Sequence, residues 1–183
     1  MVILAACSSL PTAQGDHAEG HGPVLSFSLS GRFAIRQDQH RDTVLVRWEH
    51  AVGREHLTLS TPLGNQVMLL EASPGHARLT LPDRAPLEAA DAASLMRSAL
   101  GYALPVQGLA QWVSGTLPLS AITASEGVGE AYTVRFSEDG WTGVLERWRE
   151  IGAERLPGLI TIERDDLHLR LVVDSWSVIR AEP

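Results

Sequence analysis

Hydrophobic and polar residues alternate over residues 25–35. Leu25, Phe27, Leu29, Gly31, Phe33 and Ile35 fall on one face, and Ser26, Ser28, Ser30, Arg32 and Ala34 on the other. A period of two is that of a strand with one face buried. The same period returns at Val44, Val46 and Trp48, at Leu57 and Leu59, and at Ala77, Leu79 and Leu81. Residues 65–72 form a further strand that is apolar on both faces through Val67-Met68-Leu69-Leu70, so one of those faces meets something other than water. The short connections between these segments imply antiparallel neighbours.

The period changes between Ala89 and Gly115. Asp91 is placed to cap a helix carrying Leu95, Met96, Ala99 and Leu100, with Gly101 and Pro105 as its stop signals. A second short helix holds Leu109, Trp112 and Val113. Strand character resumes at Tyr132, Val134 and Phe136, runs from Trp141 to Trp148, and closes with residues 159–163 and 167–173. The expected architecture is one antiparallel sheet of many strands, curved, with helices inserted midway to cover its concave face. A half-barrel of this kind is either filled with side chains or holds one apolar ligand. Strand alternation together with helical cover nominates Leu29, Phe33, Val46, Trp48, Leu59, Leu79, Leu95 and Met96 as the lining of a cavity for an apolar ligand.

Composition narrows the function classes. The 183 residues carry a formal charge of −7, which gives no basic footprint for nucleic acid. Hydrophobic residues make up 44%, enough to bury a real core, yet no run reaches the roughly 20 apolar residues of a membrane-spanning helix. The single cysteine, Cys7, excludes an intrachain disulfide and a four-cysteine zinc site. There is no Gly-x-Ser-x-Gly elbow, phosphate loop or dinucleotide fingerprint, and Gly127-Val128-Gly129 lacks the third glycine. Asp83, Asp91, Asp165 and Asp166 read as turn or cap residues, and His168 as an outward polar residue on a strand. Neither a metal nor another cofactor is implied.

The N-terminus reads differently from the body. Met1-Val2-Ile3-Leu4-Ala5-Ala6 is uncharged and apolar and leads into Cys7-Ser8-Ser9. Residues 1–6 read as the end of a truncated signal peptide whose true start lies upstream, because a leader has a basic flank and a longer apolar core. Leu4-Ala5-Ala6-Cys7 resembles a bacterial lipobox, with Cys7 as the lipidated residue. Residues 7–23 are then a lipidated N-terminus and an extended tether, in which His17, Glu19 and His21 lie among glycines and are solvated rather than metal-binding. Residues 24–183 form a single domain.

One turn stands out. Ser60-Thr61-Pro62-Leu63-Gly64-Asn65 has Pro and Gly at good turn spacing, but leucine is an unusual residue for the tip. Leu63 either folds back onto the core or meets a lipid or apolar partner.

Taken in order, several short pieces resemble the LolB outer-membrane lipoprotein receptors over nearly the whole chain. They are the lipobox, Gly31-Arg32, Trp48-Glu49-His50, Thr61-Pro62-Leu63-Gly64, Leu100-Gly101 with Leu104-Pro105-Val106, Gln111-Trp112 with Gly115, Gly140-Trp141, Leu156-Pro157 and Trp176. The resemblance implies an unclosed antiparallel β-barrel under a helical lid. It also implies a non-enzymatic receptor, facing the periplasm from the outer membrane, that accepts acylated lipoproteins from a LolA-type carrier and inserts them into the inner leaflet. On that basis Leu63 is the membrane-inserting residue, Cys7 the self-anchor, Ser8 the residue consistent with outer-membrane sorting, and the protein a monomer. The competing expectation is a lipid-anchored, esterase-like enzyme using the same apolar pocket, which convergent polar groups in that pocket would favour.

Overall fold

The computed structural model describes residues 24–100, 106–152 and 154–180. Thirteen strands and two short helices follow one another in chain order among them. The strands are β1 (Val24–Gln37), β2 (His40–Ala51), β3 (Arg54–Ser60), β4 (Gln66–Ser73), β5 (His76–Thr80) and β6 (Leu87–Ala89), followed by helices α1 (Ala92–Leu100) and α2 (Val106–Val113). Then come β7 (Ile122–Glu126), β8 (Thr133–Glu138), β9 (Trp141–Glu146), β10 (Arg149–Ile151), β11 (Glu154–Leu156), β12 (Leu159–Arg164) and β13 (Leu167–Arg180).

Eleven strands form one sheet in the order β6-β5-β4-β3-β2-β1-β13-β12-β9-β8-β7, every pair antiparallel. The first and last strands therefore lie side by side in the middle, and the two wings end in the short strands β6 and β7. These do not pair with each other, so the barrel is unclosed. The periodicity of the sequence marks the long strands, but β13 runs past the expected residue 173 to Arg180, because a bulge breaks its period. β9 stops at Glu146, short of Trp148, because Arg147 turns at φ +55°. The periodicity misses the three-residue edge β6, the edge β7, and the separate hairpin β10–β11, all too short or too exposed to carry a period.

Packing establishes the curvature. Leu95 and Met96 of α1, and Leu109, Trp112 and Val113 of α2, belong to one buried cluster with inward residues of nine strands, from Leu79 on β5 to Phe136 on β8. α1 lies on β4, β5 and β6. α2 reaches the far wing, where Trp112 packs on Phe136 at 5.3 Å and on Trp141 at 6.0 Å between ring centres. Strands are spaced about 4.8 Å apart, so a flat sheet would hold β5 and β8 roughly 38 Å from each other. Two short consecutive helices touch both wings only because the sheet bends around them.

Two local devices shape the central pair. A bulge at Asp174 shifts the register of β13, so that Leu167, Leu169, Leu171 and Val173 face inward before it and Trp176 and Val178 after it. Opposite the bulge, a Cβ on Gly31 would sit 2.2 Å from the Val172 carbonyl oxygen, so only glycine allows β1 and β13 this close approach. Asp91 caps α1 as the sequence implies. Its carboxylate accepts the Ser94 N–H at 2.7 Å and the Ser94 hydroxyl at 2.8 Å, and these two bonds, the backbone one foremost, hold it below the usual aspartate range. Gly101 and Pro105, the expected stop, lie outside the described residues, as do Cys7, Ser8 and the tether.

Candidate apolar cavity and its rim

Between the helices and the sheet lies a cavity of about 40 Å³. Its lining is hydrophobic throughout: Phe33, Ile35, Val46, Trp48, Leu57, Leu59, Met68, Ile160, Ile162, Leu169 and Leu171 from the sheet, and Met96, Leu109 and Val113 from the helices. Among the described residues the lining contains no hydroxyl, carboxylate or imidazole, so they offer a reacting group nothing to bind.

Five of the eight residues nominated from the sequence, Phe33, Val46, Trp48, Leu59 and Met96, are on this lining. Leu29, Leu79 and Leu95 are buried in the same cluster but not on it. Leu79 and Leu95 belong to the packing of α1 on its wing, and Leu29 sits opposite Trp48 and Trp176 near an aromatic cluster. The other nine lining residues were not singled out. Ile35, Leu57, Ile160, Ile162, Leu169 and Leu171 share the parity of their strands' buried faces, a signal present in the sequence; which strands share one hollow was not.

One end of the barrel is stoppered. Phe27 meets Trp48 edge-on at 5.1 Å, stacks on His50 at 4.9 Å and meets Trp176 edge-on at 5.5 Å. Behind these rings is a carboxylate, Glu55, only 7% exposed, whose two oxygens accept the Trp48 indole N–H at 2.8 Å and face His50 Nδ1 at 2.7 Å. A buried carboxylate is stable only when its oxygens are matched in this way. Glu55 shares the parity of Leu57 and Leu59, so its inward position was legible, but its partners come from β2.

The cavity therefore lies toward the opposite rim, where β1, β3 and β12 end and β4 and β13 begin. There Thr61-Pro62-Leu63-Gly64 forms a tight turn: Gly64 N–H donates to the Thr61 carbonyl at 2.8 Å, and Thr61 N–H to the Asn65 carbonyl at 2.8 Å. Pro62 supplies the fixed φ of the first central position, and Gly64, at φ +88°, the left-handed residue that rejoins the strand. Leu63 is 90% exposed, so it does not fold back onto the core. Trp112 ties the lid to this rim as well, its indole N–H donating to Glu138 at 2.6 Å.

Comparison with known proteins places the sequence. The family model described as outer membrane lipoprotein LolB matches residues 25–176. The outer-membrane lipoprotein LolB of Thiobacillus denitrificans is 33% identical over 152 residues, covering 82% of this chain and 80% of that protein. That of Bordetella petrii is 33% identical over 177 residues, covering 93% and 84%. That of Shewanella loihica is 28% identical over 188 residues, covering 98% and 85%. Among solved structures, a LolA superfamily protein from Nitrosomonas europaea aligns with a TM-score of 0.48 at 9% identity over 89% of this chain and 90% of its own. With a family model spanning most of the barrel and relatives a third identical over four-fifths or more of the chain, this protein belongs to the LolB family of outer-membrane lipoproteins, which are not enzymes.

Proposed function

We propose that this chain is the receiving end of a lipoprotein relay. It takes acylated lipoproteins from a LolA-type periplasmic carrier into the cavity beneath α1 and α2 and releases them into the inner leaflet of the outer membrane. Cys7 carries its own acyl anchor, residues 7–23 tether it, and residues 24–183 form the binding domain, acting as a monomer on the periplasmic side. The observation that carries this reading is the uninterrupted apolar lining, found in a protein of an outer-membrane lipoprotein family.

The energetics need no covalent step. Each methylene withdrawn from water is worth about 0.8 kcal/mol, so a dry cavity suffices to carry acyl chains. Transfer then runs downhill provided that this cavity binds them better than the donor and less well than the bilayer. The cavity as it stands is far below the roughly 300–1,000 Å³ of an occupied ligand pocket. Loading therefore separates the helices from the sheet. The two helices have 9 and 8 residues and sit over the open seam between β6 and β7, where no strand pairing has to break.

Photo-cross-linking tests the reading. A benzophenone amino acid replaces Val113 in the full chain, which is mixed with carrier loaded with a radiolabelled palmitoylated lipoprotein. Label is expected on the Val113 position and absent from a probe at Thr142, an exposed residue of β9. Transfer without cross-linking at Val113 would refute the cavity, and no transfer at all would refute the receptor role.

A further inference from the structure

Leu63 is not the only leucine thrust into solvent at the cavity's rim. Leu119 is 77% exposed. It lies in a single 3₁₀ turn, Leu119–Ala121, entered from Pro118 at φ −64° and closed by the Ala121 N–H donating to the Pro118 carbonyl at 2.9 Å. Ala121 is the residue that packs, at 4% exposure, and holds the turn against the sheet. The leucine side chain contributes little to the fold, so folding does not explain its hydrophobicity.

Topology places it. Every pairing in the sheet is antiparallel, so the β3–β4 turn and the start of β7 fall at the same end of the barrel. Leu63 is on the turn beside one wing and Leu119 precedes the edge strand of the other. They flank the open seam at the end where the cavity lies, with half-exposed Leu87 at the start of β6 between them.

Charge distinguishes these tips from other exposed apolar residues. The chain averages one charged residue in five, yet residues 98–125 contain no Asp, Glu, Arg or Lys, and neither do residues 56–70. These are the two longest charge-free stretches of the domain, and each carries one of the leucine tips. Val128, 79% exposed at the opposite end, stands between Glu126 and Glu130, and Val52 stands two residues from Arg54. Keeping charge out of the chain segments that bear these leucines lowers the cost of bringing them into a membrane interface, although the neighbouring turns of the same rim carry Asp83, Arg84, Glu138 and Asp139.

We propose that Leu119 is a second membrane-contact residue, and that Leu63 and Leu119 together seat the open seam on the lipid bilayer. The inference rests on the delivery role argued above and adds the orientation in which delivery occurs. A bilayer fits better than a protein partner. Leu63 and Leu119 sit on two turns belonging to opposite wings of the sheet, and two leucine tips are small beside the roughly 800 Å² per partner that a stable protein interface needs. Two separate tips enter a fluid surface independently. With both seated, the cavity mouth faces the headgroups and an acyl chain leaves it without crossing water.

The test uses the full chain carrying Cys7→Ser, so that no acyl anchor contributes to binding. Single cysteines replacing Leu63, Leu119 or Val128 are labelled with the polarity-sensitive dye NBD. The proteins are titrated with vesicles of phosphatidylethanolamine and phosphatidylglycerol at 3:1. The expected result is a blue shift and intensity rise at 63 and 119, quenched by shallow spin-labelled lipids, and no change at 128. Leu119→Glu in the unlabelled chain should lower vesicle partitioning roughly tenfold, the scale of one leucine's burial, with the melting temperature retained. A response at 63 but not at 119 would overturn the second contact and leave the delivery role standing. Silence at both would overturn the membrane-contact reading of Leu63 as well. A change at 119 only when loaded carrier is added without vesicles would overturn the bilayer as its partner.

Discussion

Replacing Glu55 with alanine is the most informative single test of how this barrel is held. The carboxylate is buried and holds two nitrogen groups from β2, Trp48 Nε1 at 2.8 Å and His50 Nδ1 at 2.7 Å, both side chains packed against Phe27. Hydrogen bonds to a charged acceptor contribute about 1.5–3 kcal/mol each, and a donor left buried without a partner costs about 1–3 kcal/mol. Part of that is returned because a buried charge disappears, so a net loss of about 3 kcal/mol is expected. For a domain of this size that is roughly 6–12 °C in melting temperature. Glu55→Gln should lose about half as much. Its amide offers one acceptor oxygen to the indole, and its NH₂ group finds a partner only if the imidazole presents Nδ1 as an acceptor. A Trp48→Phe and Glu55→Gln cycle should give a coupling of about 1–2 kcal/mol. Urea denaturation followed by far-ultraviolet circular dichroism measures all four proteins. A loss below about 1 kcal/mol for Glu55→Ala would refute the argument, because the two donors would then have found water and the stopper would not be sealed.

Other substitutions should separate folding from delivery. Leu63→Glu should change stability by less than about 0.5 kcal/mol, because the side chain touches little and its turn is held by Thr61 and Gly64, while incorporation of cargo into liposomes falls sharply. Gly143→Ala should destabilise by about 1–3 kcal/mol, read from the same urea curves, since its Cβ would lie 2.2 Å from the Phe136 ring, which Trp112 prevents from moving away. Asp91→Ala should lower the melting temperature at neutral pH. Because the folded carboxyl titrates below its ordinary value of 3.8, its contribution is present above that value and is lost as the pH falls through the folded one. The gap between the two melting temperatures should therefore narrow as the pH is lowered, and a gap that stays constant into acid would rule out the charged cap as its source.

Much of this molecule is local and so was written in the sequence. A period of two marks most of the long strands, because side chains on a pleated backbone alternate between core and solvent, while β4 is apolar on both faces through residues 67–70. Asp91 announces α1, because a carboxylate satisfies the orphan N–H groups of a first turn. Leu63 stood out because a turn tip has no core to bury a leucine in. Long-range placement was decided only by the tertiary structure. Nothing local says that β1 and β13 pair, that a bulge at Asp174 switches which alternate residues of β13 face the core, or that Glu55 turns inward to meet donors on another strand. Leu29, Leu79 and Leu95 share the inward parity of the lining residues yet sit off the cavity, because whether a buried side chain borders a space depends on which strands the helices bridge. Leu119 was the most hidden. Its segment has no strand or helix period, and it became notable only when the antiparallel order of eleven strands carried it to the same rim as Leu63. Periodicity reports the environment of a residue relative to its own backbone. The neighbours that make a cavity, a stopper or a rim come from chain segments many residues away, and only the folded sheet brings them together.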